Sequence, residues 1–358
     1  MTHTHGISSR AIVAPAVVVL MALLAACASE GPSPASPSPS PVEPGWIDRS
    51  VISNQDRVIV EKVSYRSGGL KVWAEICRPD DSTTHSIVLW NHGGFDGLFE
   101  GDRRGCRELA KGGFAVAASY YRGEGGSEGA VEACKGEVDD VANMLAILKR
   151  EPFVNAGKVA AIGASHGGCV TLSLAIRQPD LKAAIDLAGP SDWGALHNWM
   201  ADQLARGEPF CASIGRSDCA ALHREMLNEL TAALGGTPAQ VPQAYADRSP
   251  INRLGELRVP TLIVHGADDV IVNLDQTCLK RSALTQAGRA PAAWYLDSSL
   301  HERSNGPACG GGFRSTPVLL AALETNALAI YEGQGHDMSG SVQDHVIALA
   351  TAFALAHF

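Results

Sequence analysis

The chain has 358 residues, room for one large α/β domain with insertions, and 46% of them are hydrophobic, enough for a sizeable core. Its formal charge of −9 argues against a nucleic-acid partner, because phosphate binding needs a basic patch. An acidic balance of this size otherwise implies only a solvated surface.

Residues 1–27 read as an export signal: Arg10 is the positive start, Ala11 to Leu24 the apolar core, and Leu24-Ala25-Ala26-Cys27 the end. The apolar run is short for a membrane span and contains Pro15, which favours cleavage over an uncleaved helix. The final tetrapeptide resembles the bacterial lipobox. That resemblance implies lipidation of Cys27 and an exported protein anchored to a membrane of the bacterial envelope. Residues 28–45 are mostly Ser, Pro, Ala and Glu, cannot bury enough to fold, and are expected to act as an extended spacer.

The folded part is expected over residues 46–358. Strands Val58 to Tyr65 and Leu70 to Cys77 flank Ser67-Gly68-Gly69, a hairpin signal. A buried strand, Ile87 to Trp90, ends in Asn91-His92-Gly93-Gly94-Phe95. Helix Arg103 to Lys111, strand Phe114 to Tyr121, a Gly-rich loop and helix Glu137 to Arg150 follow, then strand Val159 to Ile162. Strands alternating with helices imply right-handed crossovers and a largely parallel sheet, an α/β fold. After strand Ala183 to Leu187 the rhythm breaks. Residues from about 190 to 250 read as mostly helical, an insertion well placed to be a lid, with a solvated helical decoration as the alternative. The alternation resumes at Arg258 with a buried strand that ends at His265, then helix Leu274 to Ala287, strand Ala327 to Tyr331 and helix Val342 to Ala356; Ala292 to Leu296 could add a strand.

The stretch Val159 to Ala175 carries the chemistry. An apolar strand runs into Gly163-Ala164-Ser165-His166-Gly167-Gly168, and apolar residues then recur at helical spacing. Strand, Gly-x-Ser-x-Gly turn, helix is the pattern of a nucleophile elbow with Ser165 at its tip. A serine hydroxyl needs a base oriented by a carboxylate, and this elbow type takes them in the chain order Ser, acid, His. Asp269 stands just past the strand ending at His265, with Asp268 as its rival. His336 stands in a Gly-rich loop past the last strand, with His301 as its rival. His92 and His265 are expected to brace their loops. The oxyanion hole needs two fixed N–H donors. The N–H of His166 is one, and Gly94, with Phe95 close behind, is the expected other.

With these residues in place the chain resembles an α/β-hydrolase, and within that fold the catalytic domain of prolyl-oligopeptidase-type serine peptidases and the related dienelactone-hydrolase-like esterases. The likeness rests on His92-Gly93-Gly94, Tyr121-Arg122-Gly123-Glu124-Gly125-Gly126, the elbow, Ser249-Pro250-Ile251, the Asp269 motif and Gly335-His336, over roughly residues 55–358. It implies acyl transfer with Ser165 as nucleophile, His336 as base and Asp269 as its orienter. Two features depart from the peptidase pattern: no N-terminal β-propeller is expected, and neither the cap nor residues 289–325 match it. The implied substrate is a small ester or peptide, without metal or cofactor. An acyltransferase on the same triad and a non-catalytic binding protein on this fold are the alternative classes.

Beyond Cys27 eight cysteines remain, and an exported chain can oxidise them. The expected pairs are Cys211 with Cys219 and Cys278 with Cys309, with Cys106 to Cys134 possible and Cys77 and Cys169 free and buried. No zinc-ligand spacing is present.

Overall fold

The computed structural model describes residues 45–358; the expected export signal, Cys27 and the expected spacer up to residue 44 lie outside the described residues. One ten-stranded sheet organises them. Its strands are β1 (Trp46–Gln55), β2 (Val58–Ser67), β3 (Leu70–Pro79), β4 (His85–Asn91), β5 (Phe114–Ser119), β6 (Val154–Ala164), β7 (Ala183–Leu187), β8 (Thr261–Gly266), β9 (Ala292–Leu296) and β10 (Asn326–Tyr331). They lie in the order β1-β2-β3-β5-β4-β6-β7-β8-β10-β9. The first three run antiparallel, and from β5 onward neighbouring strands are parallel.

The parallel strands are short apolar runs because both faces are covered. Along β6, Val159 and Ala161 face one core cluster while Ala160 and Ile162 face the other. The period-2 alternation of a strand is thus apolar on both sides. Helices α1 (Glu100–Lys111), α2 (Gly136–Leu148), α3 (His166–Arg177), α8 (Asp275–Gln286) and α9 (Ser341–His357) supply the cover. From β4 the chain crosses to β5 on one side and then returns to β6 on the other. That reversal opens a crevice at the carboxyl ends of β4 and β6, the place where ligands bind in sheets of this kind.

Between β7 and β8 stand α4 (Trp193–Ala205), α5 (Pro209–Ser213), α6 (Cys219–Leu234) and α7 (Pro242–Arg248), which gives the 190–250 stretch its expected helical content. Strand β1 was not expected, since its residues are mostly solvent-exposed and carry no apolar alternation. Its ladder to β2 and its own side chains reaching other elements fix it: the Trp46 indole N–H donates to Glu151 at 2.6 Å, and Arg49 forks onto Glu61 at 2.9 Å.

The cysteine expectation needs correcting in part. Cys211–Cys219 and Cys278–Cys309 form as expected, but Cys77 bonds Cys106 and Cys134 bonds Cys169. Cys77 and Cys169 are buried yet oxidised, and Cys106 does not meet Cys134. The reason is packing. Helix α1 lies against β3, which puts Cys106 over Cys77, while the segment before α2 lies on α3. Sequence spacing carries no record of which face of the sheet a helix covers.

Candidate active site

At the end of β6 the backbone reverses into α3 through Ser165, which takes φ 54° and ψ −126°, a strained conformation for a residue with a side chain. The Ser165 N–H donates to the Leu187 carbonyl at 2.8 Å and its own carbonyl accepts from Gly168 N–H at 2.8 Å, so both sides of the tip are held. A Cβ on Gly163 would sit 2.1 Å from the Gly167 carbonyl oxygen, and one on Gly167 would sit 2.0 Å from that of Asn91. No side chain fits at either position, which is the physical content of the Gly-x-Ser-x-Gly pattern.

Asp269 follows β8 and is fully buried. One of its carboxylate oxygens accepts the N–H groups of Ile271 and Val272 at 2.8 and 2.9 Å, and the other accepts His336 Nδ1–H at 2.7 Å. That hydrogen bond fixes the tautomer, leaving Nε2 of His336 as the basic nitrogen. Burial works against protonation of His336, but the Asp269 carboxylate outweighs it and raises the imidazole above its ordinary value. Burial alone would raise the Asp269 carboxyl; His336 and His265 instead hold it well below the usual carboxylate range. His265 braces this loop from behind: its Nε2–H donates to the Val272 carbonyl at 2.7 Å and its Nδ1 accepts from the Thr277 hydroxyl at 2.7 Å. Of the rivals, Asp268 is only partly buried, and His301 lies at the surface, 3.6 Å from Asp297.

The loop after β4 lies against the elbow. A Cβ on Gly93 would come within 3.0 Å of Ser165 Cβ, so this backbone touches the serine. The Gly93 carbonyl accepts His92 Nδ1–H at 2.9 Å, and a trans peptide therefore aims the Gly94 N–H the opposite way. His166 does more than its sequence position suggests. Its ring is buried and donates Nδ1–H to the Gly94 carbonyl at 3.2 Å, tying the elbow to this loop. Phe95, Tyr121 and Trp193 surround it at ring-centroid distances of 4.9, 5.6 and 6.2 Å. Burial pushes the imidazole down to about 4, so it is neutral.

A brace that the sequence did not reveal sits under the next strand. Lys280 of α8 and Asp186 of β7 are both fully buried and paired, and Lys280 also donates to the Gly189 carbonyl at 2.7 Å. They fix the turn whose Leu187 carbonyl holds Ser165. A lysine inside a helical pattern reads as solvated, so only the fold shows its partner.

The helical insertion meets the same loops. His223 of α6 is buried and donates Nε2–H to the carbonyl of Val270, the residue after Asp269, at 2.7 Å. Cys211 and Cys219 pack on Val270 as well. The Arg216 guanidinium, raised chiefly by Asp218, also feels Asp337 and Asp269. The Glu229 carboxyl, raised chiefly by burial, also feels Glu225 and then Asp96 of the loop after β4.

Residues 58–295 match the family model described as X-Pro dipeptidyl-peptidase (S15 family). The chain belongs to this family. Among relatives of this S15 member is the uncharacterized peptidase YtmA of Bacillus subtilis (strain 168), 25% identical over 249 residues that cover 70% of this chain and 88% of YtmA. The Pyrococcus horikoshii acylaminoacyl peptidase superposes with a TM-score of 0.58 at 16% identity, over 84% of this chain and 42% of that one. An acetyl xylan esterase from Paenibacillus sp. R4 gives 0.57 at 15% identity, over 89% and 90% of the two chains. The S15 chain therefore spans less than half the length of the Pyrococcus horikoshii peptidase and nearly all of the esterase. At such identities the superpositions establish the fold, that of an α/β-hydrolase, as the resemblance implied. Family and relatives together make the chain a serine hydrolase of the peptidase or esterase type.

Proposed function

We propose that this hydrolase cleaves the amide or ester bond of a small acyl substrate through an acyl-Ser165 intermediate, with His336 as general base and Asp269 as its orienter. The observation that supports this best is the 2.7 Å hydrogen bond from His336 to a buried Asp269, on the same sheet edge as a strained Ser165. His336 Nε2 takes the Ser165 hydroxyl proton as Oγ bonds to the substrate carbonyl carbon. The N–H groups of Gly94 and His166 receive the developing oxyanion. Collapse expels the amine or alcohol, which leaves with the proton from His336, and water repeats the sequence to release the acid. The aromatic enclosure of Phe95, His166 and Trp193 beside Ser165 suits an apolar or aromatic group on the acyl side. Helices α4–α7 act as a lid in this reading, supported by the hydrogen bond from His223 to the Val270 carbonyl and by the packing of Cys211 and Cys219 on Val270.

The same reading places the protein outside the cytoplasm, anchored through a lipid on Cys27 with residues 28–45 as tether. Four disulfides among the described residues support an oxidising compartment.

Ser165→Ala should remove nearly all turnover, by on the order of 10⁴-fold or more, with Tm unchanged. Comparing kcat/KM for an ester and an anilide with one acyl group decides the bond: comparable rates mark a peptidase, ester cleavage alone an esterase. Activity retained in Ser165→Ala, or no labelling by a fluorophosphonate, overturns the mechanism.

A further inference from the structure

We propose that Glu124 is a positioning residue for the oxyanion loop: from the segment after β5 it holds residues 92–97 in the arrangement that presents the Gly94 N–H beside Ser165. This rests on the reading of Gly94 as an oxyanion donor. Glu124 is 2% exposed, and its Oε2 accepts the Gly97 N–H at 2.7 Å. The near end of the loop is held from the same segment. His92 stacks on Tyr121 with ring centroids 4.1 Å apart, the Tyr121 hydroxyl donates to the His92 carbonyl at 3.4 Å, and His92 Nδ1–H fixes the Gly93 carbonyl. The segment itself has one available path. A Cβ on Gly125 would lie 1.9 Å from the Tyr120 ring, and one on Gly97 would lie 3.0 Å from the same ring and 3.4 Å from Gly125 Cα, so the loops meet glycine to glycine.

The electrostatics fit a neutral pin. Burial pushes the Glu124 carboxyl up to about 9; the Gly97 N–H pulls it down, and the carboxylates of Glu137, Asp96 and Asp140 push it further up. Burial pushes His92 down to about 4, with the Gly93 carbonyl pulling the other way and His166 and Asp102 acting on it at longer range. The groups facing Glu124 are thus His92, Tyr121 and Asp96 from the two loops and Glu137 and Asp140 from α2, and Asp140 is itself paired with Arg122 at 2.9 Å. Near neutral pH Glu124 is a carboxylic acid and His92 an uncharged imidazole whose Nε2 lies 4.0 Å from Glu124 Oε2. Glu124 Oε1 and His92 Nε2 are buried without a partner at hydrogen-bond distance, and the Tyr120 backbone also acts on the His92 ring, so neither side chain has a compensating charge beside it. Ionising Glu124 would put an uncompensated charge against the loop, and the Gly94 N–H would move with it.

The test compares wild type, Glu124→Gln, Glu124→Ala and Ser165→Ala on one ester substrate, recording kcat and KM from pH 6 to about pH 10, with Tm for each. Glu124→Gln keeps an oxygen for Gly97 and cannot ionise. It should retain kcat within about threefold and lose an alkaline decline that wild type shows near the raised Glu124 value. Glu124→Ala should lose kcat by on the order of 10²-fold with KM within about twofold, the range for a displaced oxyanion donor. Wild-type kcat in Glu124→Ala, a loss in Glu124→Gln as large as in Glu124→Ala, or an alkaline decline unchanged in Glu124→Gln overturns the proposal. If Glu124→Ala does not fold, the alkaline limb of Glu124→Gln decides alone. Turnover persisting in Ser165→Ala overturns the underlying mechanism instead, so the two failures are told apart.

Discussion

The Asp269 carboxylate is the most heavily committed side chain of the site: two backbone N–H groups, His265 and His336 all address it. Its negative charge raises His336, so the protonated, inactive imidazolium persists to higher pH than a free histidine would allow. For catalysis, kcat/KM should rise with pH along a limb whose midpoint lies above the ordinary histidine value of about 6.5. For stability the sign is opposite: a raised imidazole contributes most below its unfolded value, and the contribution fades as pH climbs through the folded one. Asp269→Asn removes both effects. We expect kcat to fall by on the order of 10⁴-fold and the acid limb of the residual activity to move to lower pH. A pH–rate profile of the two proteins measures this, and an unmoved limb would take the base assignment away from His336. The proposed triad of Ser165, Asp269 and His336 could be picked out in the sequence because each follows an apolar strand within a few residues, and the structure brings Asp269 and His336 together. The side-chain role of His166 could not, because only the fold brings Gly94 against its ring.

At the scale of elements, the central parallel strands announced themselves because burial on both faces makes them unbroken apolar runs. Strand β1 was silent because its stability comes from Trp46, Arg49 and partners about a hundred residues away in sequence. The helices of the 190–250 insertion were legible as helices, but their docking was not. That docking has a consequence for the catalytic loop. His223 is held between the Glu208 carboxylate, 3.0 Å from Nδ1, and the Val270 carbonyl, so it latches α6 to the peptide that follows Asp269. Replacing it with alanine leaves the Val270 carbonyl without this donor and opens space against Trp199, whose ring centroid lies 5.2 Å away. The expected cost for a buried hydrogen-bonded side chain is about 1–3 kcal/mol, concentrated in the latch rather than spread through the sheet. His223→Ala should therefore speed amide hydrogen exchange in α5, α6 and residues 269–273 and lower kcat, while exchange in β4 and β6 stays slow. Faster exchange confined to α6, with kcat unchanged, would show that the insertion and the acid loop move independently.

At the scale of the molecule, the disulfides divide the labour differently from what spacing alone suggests. Cys211–Cys219 closes only a short stretch inside the insertion, a sequence separation of 8. Cys77–Cys106 and Cys134–Cys169 span 29 and 35 residues and tie helices or loops to the body of the fold: β3 to α1, and the approach to α2 to the elbow helix α3. Loop-closure entropy assigns each of these longer links about 3–4 kcal/mol, a large share of the net stability of a domain. Neither link includes Ser165, Asp269 or His336, so their loss should act on folding before it acts on chemistry. Cys77→Ala/Cys106→Ala and Cys134→Ala/Cys169→Ala should each lower Tm by several degrees, and together by on the order of 10 °C. The pair on α3 should show the larger effect on kcat, since α3 carries the His166 N–H that the mechanism assigns to the oxyanion. Thermal denaturation with and without reductant, alongside kcat measured well below each Tm, separates the two contributions. If reductant leaves the wild-type Tm in place while a thiol assay finds the cysteines free, the entropic account of these links fails and packing around α1 and α3 carries the stability by itself.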